Sequence, residues 1–222
     1  MVRFFIRRVV ALAVLAQVLV VTQDASAQVR RRFFAVPMAD LASLEQVQTE
    51  LKYSDEQKAK IVEIVGQFQS DRRALAQEGS QQGAGEQMLQ KMAVLDRESS
   101  AKVFGLLDKT QRERLLGISI QINGAKALYE PAVTQALHFT KEQDEKLELT
   151  RTDIRNIFRN AFIQFGSMSE GQRRAKVNEL VEEGDEKLMG VMSTAQRREF
   201  DKLSGEAIDV DLSPLPWARP RN

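Results

Sequence analysis

The 222-residue sequence contains no cysteine and only one histidine, His138. The absence of cysteine excludes disulfides, thiolate metal sites and cysteine nucleophiles, and a single histidine excludes any site within one chain that needs two imidazoles. Proline is scarce at 5 residues, and aromatic residues make up 6% of the chain. With so few helix breakers, the composition favours helices.

An excess of charge of one sign is also absent, since 32 Lys and Arg face 31 Asp and Glu. A general nucleic-acid binder needs a basic surface to neutralise phosphates, so we expect no nucleic-acid partner. Hydrophobic residues make up 43% and charged residues 28% of the chain. These fractions are typical of a globular protein with a packed core.

Residues 1–27 are typical of a secretory signal peptide. Three arginines precede an apolar run at 9–21 whose one polar member is Gln17, and Ala25 and Ala27 provide the small residues of a cleavage site. The run is shorter than the roughly 20 residues of a membrane-spanning helix. We expect cleavage and export, to a bacterial periplasm or to the medium. The alternative is an uncleaved anchor, the one way in which we expect this chain to meet a membrane.

The remaining chain predicts an all-α fold of about six to eight helices. Apolar residues recur at spacings of three and four, and no stretch alternates with the period of a strand. A glycine-rich stretch at 79–85 predicts a flexible loop. The predicted organisation is a signal peptide at 1–27, an irregular basic and aromatic arm at 28–38, helical repeat 1 at 39–123, helical repeat 2 at 124–205, and an extended Pro-rich tail at 206–222.

Two sequence blocks recur in the same order at nearly the same offset. Residues 47–61 read VQTELKYSDEQKAKI and residues 133–147 read VTQALHFTKEQDEKL, at an offset of 86. Residues 102–112 read KVFGLLDKTQR and residues 187–197 read KLMGVMSTAQR, at an offset of 85. Coincidence between helices of similar composition is the alternative. We interpret the blocks as two tandem copies of one helical-hairpin unit.

Each copy contains two helix starts with the spacing of a capping box. In such a box the side chain of a Ser, Thr or Asp accepts the backbone N–H three residues on, and a Gln at that position returns to the N–H of the cap residue. Nothing in the motif requires a reaction, so we prefer a structural role to a functional one. The predicted pairs are Ser54 and Gln57, Asp108 and Gln111, Thr140 and Gln143, and Ser193 and Gln196.

These helix starts carry a family resemblance. Paired starts of the form Leu-Thr-x-x-Gln in a small exported helical protein resemble the Spy/CpxP family of bacterial periplasmic proteins. Residues 139–143, FTKEQ, are close to that pattern, whereas SDEQ, DKTQ and STAQ depart further. The resemblance implies an all-α fold, cradle-shaped dimers, and a role as an ATP-independent chaperone or envelope-stress sensor. With two copies in one chain, a homodimer and an internal pseudo-dimer both stay open. Because the His- and Met-rich segments of the metal-responsive relatives are missing, no metal is expected.

A helix predicted from about residue 141 to 165 provides a candidate client-binding surface. Arginines spaced four apart share one stripe, and phenylalanines lie on the adjoining one. Arg attracts acidic segments and stacks on aromatic rings, while Phe offers apolar area. The alternative is that the phenylalanines are core and the arginines a solvated edge. The candidate residues are Arg151, Arg155, Phe158, Arg159, Phe162 and Phe165.

Other chemistry-bearing residues predict no catalytic, cofactor or metal site. Glu179, Glu182, Glu183 and Glu186 share a helix face that Ca²⁺ or Mg²⁺ would suit if another helix added oxygens, but a solvated acidic face is the preferred interpretation. The lone His138 is interpreted as a surface or partly buried side chain. Because neither a nucleophile elbow nor a phosphate-binding glycine loop is present, we do not expect an enzyme.

The leading hypothesis is an exported helical protein-binding module of Spy/CpxP-like character. It would shield partly folded proteins without nucleotide, or sense envelope stress, and its partners would be unfolded or partner proteins of the envelope. The alternative is a structural or scaffold protein that binds one dedicated partner through the arm at 30–34 or the tail around Trp217.

Overall fold

The computed structural model describes residues 35–82 and 86–215, and it confirms the all-α prediction because no strand occurs among them. Nine α-helices lie in this described part, against the six to eight expected. Two 3₁₀ segments, Gly124–Tyr129 and Phe165–Ser167, lie between them. The helices are α1 (Met38–Ala42), α2 (Glu45–Glu50), α3 (Asp55–Gln82), α4 (Glu86–Gly105), α5 (Lys109–Asn123), α6 (Pro131–Ala136), α7 (Lys141–Gln164), α8 (Glu170–Met189) and α9 (Thr194–Ser204).

The chain divides into two compact units. Residues 35–211 form the larger unit, and residues 1–34 with 212–222 form the other, of which the structure describes 212–215. The predicted signal peptide and the arm at 30–34 lie outside the described residues, as does Trp217 of the tail. Among the described helices, none combines the length and apolarity needed to cross a membrane.

The larger unit contains packed pairs of helices, and the second half of α5 is buried. Helix α3 packs on α4, α7 packs on α8, and α5 packs on α9. All six residues from 115 to 120 of α5 are buried. A Cβ at Gly117 would lie 2.7 Å from the carbonyl oxygen of Leu203 and 2.8 Å from that of Ser204. The missing side chain therefore permits the close approach of α5 to the end of α9.

Each short helix that precedes a long one ends in the same backbone conformation. Lys52 after α2 and His138 after α6 have φ of 51° and 53°, and no other non-glycine residue of the described chain has a positive φ. The N–H of the next residue donates back to a carbonyl of the short helix, from Tyr53 to Gln48 at 3.1 Å and from Phe139 to Thr134 at 3.0 Å. A left-handed residue at this position ends a helix and reverses the chain direction. Both long helices, α3 and α7, start directly after such a turn.

The N-terminal segment, residues 35–42, is buried almost throughout, and it includes the last four residues, 35–38, of the predicted arm. Helix α1 begins at Met38, and packs against α3, α4 and α5. Asn123 of α5 holds the segment through Val36: the Val36 N–H donates to Asn123 Oδ1 at 2.7 Å, and Asn123 Nδ2 donates to the Val36 carbonyl at 3.0 Å. One side-chain amide thus satisfies both backbone groups of a buried residue.

The glycine-rich stretch at 79–85 is not a loop in its first half, because α3 continues to Gln82; residues 83–85 lie outside the described chain. A Cβ at Gly79 would overlap the side chain of Met88 on α4. Gly79 therefore allows α3 and α4 to approach closely. The sequence pattern alone did not distinguish this use of glycine from a helix break.

Candidate functional site

The predicted capping residues lie at the starts of four helices. In each pair the cap side chain accepts the backbone N–H of the glutamine, and the glutamine Oε1 accepts the N–H of the cap residue, over 2.9–3.3 Å. A fifth box, Ser169 and Gln172 before α8, has the same geometry. This box was not among the predicted pairs, although its Ser-x-x-Gln spacing is the same. The four predicted pairs are Ser54 and Gln57 before α3, Asp108 and Gln111 before α5, Thr140 and Gln143 before α7, and Ser193 and Gln196 before α9.

The glutamines of the first two boxes also bind each other. Gln57 Nε2 donates to Gln111 Oε1 at 2.8 Å, and Gln111 Nε2 lies 3.2 Å from Gln57 Oε1. Each Nε2 further donates to a backbone carbonyl on the far side of the contact, Leu106 for Gln57 and Leu51 for Gln111, at 3.0 and 3.1 Å. The starts of α3 and α5 are therefore joined through side-chain amides.

The same arrangement recurs between α7 and α9. Gln143 Nε2 donates to Gln196 Oε1 at 2.7 Å, and Gln196 Nε2 lies 3.0 Å from Gln143 Oε1. The backbone acceptors are Val191 and Leu137, at 3.0 and 3.1 Å. His138 lies at a shallow depression beside this pair. Primary amides provide neither a nucleophile nor a group that titrates near neutral pH, so these contacts position helices and perform no reaction.

Arg151, the first of the predicted client-binding arginines, faces the protein. Its side chain is 18% exposed and donates to Glu148 Oε1 at 2.7 Å. Its guanidinium carbon lies 4.5 Å from the centre of the Tyr129 ring, a cation–π contact. Arg155 is half-buried and donates to the Thr152 hydroxyl at 3.0 Å. The predicted arginine stripe is therefore not a single exposed surface.

The last part of α7 is different, because apolar side chains reach solvent there. Phe162 is 50% exposed and Ile163 is 78% exposed. The Phe162 ring contacts Phe165 edge to face, with centroids 5.0 Å apart. Ile163 was not among the predicted residues, although it falls off the spacing of the buried residues 147, 154 and 161. We call Phe158, Arg159, Phe162, Ile163 and Phe165 the α7 end patch.

The polar part of the α7 end patch is Arg159, which is exposed and donates to Asn156 Oδ1 at 2.8 Å. Phe158 and Phe165 are half-buried and form the base of the patch. The patch thus combines four apolar side chains with one exposed cation. Such a surface suits an apolar segment that carries acidic residues.

A second group of acidic residues, two of them buried and one half-buried, lies where no site was predicted from the sequence. Asp40 of α1 is 1% exposed, Glu130 before α6 is buried, and Asp96 lies on α4. Arg72 of α3 reaches two of them, with Nη1 3.7 Å from Asp40 Oδ2 and Nε 4.0 Å from Asp96 Oδ1. We call Asp40, Asp96 and Glu130 the carboxylate cluster. The one sign of this cluster in the sequence is Asp40, an acidic residue that stands alone in the apolar run at 36–42.

Burial perturbs two members of the carboxylate cluster. It raises the pKa of Glu130 to about 7, although hydrogen bonds from the Met38 N–H and the Ser100 hydroxyl, at 3.0 and 3.2 Å, oppose the rise. Burial also raises the pKa of Asp96 to about 6, against the attraction of Arg72. Desolvation disfavours the charged form of a carboxyl and is the dominant cause for both groups.

Two of the four glutamates on the acidic face of α8, Glu179 and Glu183, are paired with cations. Lys176 Nζ lies 2.7 Å from Glu179 Oε1, and Lys187 Nζ lies 3.7 Å from Glu183 Oε1. Within residues 35–82 and 86–215, no group of three or more His, Asp or Glu side chains is arranged to hold a metal ion.

No family model matches this chain, and no curated protein or solved structure matches it either. The Spy/CpxP-like resemblance therefore stays a prediction from the motif blocks. The α7 end patch and the carboxylate cluster are the features from which a function can be argued.

Proposed function

We propose that this protein is an exported, helical protein-binding module that holds apolar segments of partly folded or partner proteins on the α7 end patch. The observation that supports this proposal is the exposure of Phe162 and Ile163, two large neighbouring apolar side chains, at the end of one helix. Contiguous exposed apolar groups flanked by polar residues are typical of protein interaction sites.

The physical basis of binding is the removal of these side chains from water. Complete burial of a Phe or Ile side chain contributes roughly 1.5–3 kcal/mol, and a client would bury what Phe162 and Ile163 still expose. Arg159 at the edge adds attraction for acidic residues of the client, which salt screens. Contacts of this kind favour weak and broad binding and need no nucleotide.

The Spy/CpxP-like character belongs to the same proposal. Residues 1–27 support export, and the paired Gln motifs support the resemblance. We also infer that the halves are copies of one unit, because the Gln57–Gln111 and Gln143–Gln196 contacts recur at the offsets of the sequence blocks. In the first half Arg72 lies over the buried ring of Phe68 at 5.3 Å, so these two residues form no exposed patch.

Light scattering of an unrelated aggregating client, with the purified protein and no ATP, tests this function. We expect suppression near a stoichiometric ratio and a clear loss in the double variant Phe162→Ser, Ile163→Ser. The matched control is Leu149→Ser, on the same helix and 69% exposed but two heptads away; it should keep full suppression. No suppression by the parent protein would contradict the proposal and favour a dedicated envelope partner.

A second arm of the experiment separates charge from apolar contact. Arg159→Ala should weaken suppression at low salt and have little effect at high salt, because its contribution is electrostatic. Melting temperatures of all variants, measured in the same buffer, should lie close to that of the parent, since the substituted apolar residues are half or more exposed and Arg159 is exposed as well. Equal suppression by the parent and the double variant would show that clients bind elsewhere.

A further inference from the structure

The 35–42 segment is held by two polar side chains of different chemistry. Asn123 hydrogen-bonds both backbone groups of Val36, at 2.7 and 3.0 Å. Glu130 Oε1 accepts the backbone N–H of Met38 at 3.0 Å. An amide does not titrate, whereas a carboxyl does. One of the two attachments of this segment is therefore made by a buried titratable group. The hydrogen bond from Met38 favours the ionised form of Glu130, and burial, the larger effect, favours the protonated form.

The charges around this attachment do not balance when every carboxyl is ionised. Asp40, Asp96 and Glu130 supply three negative charges. Arg72 pairs with the first two at 3.7 and 4.0 Å, and Arg151 attracts Asp96 and Glu130. Arg151 also pairs with Glu148 of its own helix, at 2.7 Å. A single proton on the carboxylate cluster brings the three carboxyls and two guanidiniums into balance.

The neighbouring helices add few other charges. Helix α5 contributes Asn123 and Ser119, which are polar and uncharged. Helix α4 adds the Ser100 hydroxyl to Glu130. Tyr129, beside Glu130 in the chain, is also titratable, and burial raises its pKa to about 12. The charged groups around Tyr129 are Glu148, Arg151 and Arg155 of α7, Asp185 of α8, and Lys126 of the same 3₁₀ segment, whose Nζ lies 3.6 Å from Asp185 Oδ1.

We propose that the 35–42 segment is a pH-responsive latch, closed when the carboxylate cluster carries a proton and loosened when that proton is lost. This inference is independent of client binding, since it concerns the opposite end of the unit's sequence and no residue of the α7 end patch. Loosening would expose Met38 and Leu41, which are buried now.

The direction of the response follows from linkage. The closed state binds the proton of Glu130 more tightly than an open state does, because burial raises its pKa. Lowering the pH therefore favours the closed state, and raising the pH through about 6 to 8 favours opening. Asp96 acts in the same direction, because its pKa is raised as well.

Hydrogen exchange of the backbone amides at residues 36–42 tests the latch in the full chain. Protection factors, corrected for the intrinsic pH dependence of exchange, are compared at pH 5.5 and pH 8. We expect the opening constant of the segment to rise about tenfold or more with pH. At pH 8 the opening constant of the segment should exceed the global unfolding constant measured with urea in the same buffer.

Glu130→Gln keeps an acceptor for Met38 and removes the titration, so it should abolish most of the rise. Glu63→Gln, at an exposed position of α3, should retain the full rise. If Glu130→Gln does not fold, Asp96→Asn provides the second variant and should reduce the rise. A pH-independent opening constant, an equal rise in Glu130→Gln, or protection that equals global unfolding at both pH values would overturn the proposal.

Discussion

Gln143 and Gln196 exchange hydrogen bonds through their side-chain amides, with N···O distances of 2.7 and 3.0 Å, and thereby join the start of α7 to the start of α9. Each glutamine also caps its own helix. Gln143 Nε2 donates to the Val191 carbonyl before α9, and Gln196 Nε2 donates to the Leu137 carbonyl before α7. A motif that starts one helix thus also determines where a second helix starts in space. The contact has no chemistry of its own and supports the helix that carries the α7 end patch.

The first prediction concerns this contact. Gln196→Ala should lower the free energy of unfolding by about 2 kcal/mol, because it removes a cap and leaves the partner amide and a carbonyl with lost hydrogen bonds. Gln172→Ala removes a box that closes on its own helix and should cost about 1 kcal/mol or less. Urea unfolding measures both values, and equal costs would show that the Gln–Gln contact adds nothing to the cap.

A double-mutant cycle measures the interaction energy between Gln143 and Gln196. Gln143→Ala and Gln196→Ala should be non-additive, with a coupling of about 0.5–1.5 kcal/mol, since either single change already breaks the shared hydrogen bonds. Additive effects would contradict a direct contact.

The second prediction tests the approach of α5 to α9. Gly117→Ala places a Cβ against the carbonyl oxygens of Leu203 and Ser204 at 2.7–2.8 Å, and overpacking of this kind costs about 1–3 kcal/mol. The control is Gly66→Ala, in the interior of α3 with nothing within 4 Å of the new Cβ. It should stabilise the protein by up to about 1 kcal/mol, because Ala is the better helix former. Thermal unfolding that shifts both variants in the same direction would contradict this account.

The third prediction concerns the amide that holds the 35–42 segment. Asn123→Ala leaves the buried N–H and C=O of Val36 without their partner and should cost about 2–4 kcal/mol, at about 1–3 kcal/mol for each buried group. Gln121→Ala is the comparison, because Gln121 binds the Ile208 N–H and the Glu206 carbonyl in a part-buried position at 3.0 and 2.8 Å. Water can replace those bonds, so the loss in urea unfolding should be smaller there; an equal loss would be evidence against the burial argument.

The fourth prediction is the pH dependence of overall stability. The pKa of Glu130 is about 7 in the folded protein against an ordinary 4.5. Between these two values the folded state retains a proton that the unfolded state has already lost. The free energy of unfolding should therefore fall as pH rises from 5 to 8, by up to about 3 kcal/mol from this group. Urea titrations at several pH values measure the slope. Glu130→Gln should flatten it, and a stability that rises over this range would contradict the assignment.

Local features of this fold were predictable from sequence, and tertiary ones were not. The capping pairs follow from a three-residue spacing, so Ser54 and Gln57 could be identified without a structure. The contact of Gln57 with Gln111 joins residues 54 positions apart, and nothing in either motif specifies that approach. The inward position of Arg151 was not predictable for the same reason. Helical spacing shows which residues share a face of α7, but it does not show which face packs against Tyr129.

The candidate surface was predicted in part. Phe162 and Phe165 belong to the face proposed from sequence, while Ile163 was missed because periodicity was used to find buried residues. The carboxylate cluster escaped detection because its members come from three distant parts of the chain. Only the position of Asp40 within an apolar run carried a signal that a buried charge needs partners.

The most direct test of the central claim is site-specific photo-crosslinking. A benzophenone amino acid replaces Ile163 in one protein and Leu149 in another, and each is irradiated with an unfolded client in the absence of nucleotide. We predict a strong client adduct at position 163 and little at position 149. An excess of unlabelled client should compete for the site and abolish the adduct at position 163. Equal adducts at both positions, or none at position 163, would contradict binding at the α7 end patch.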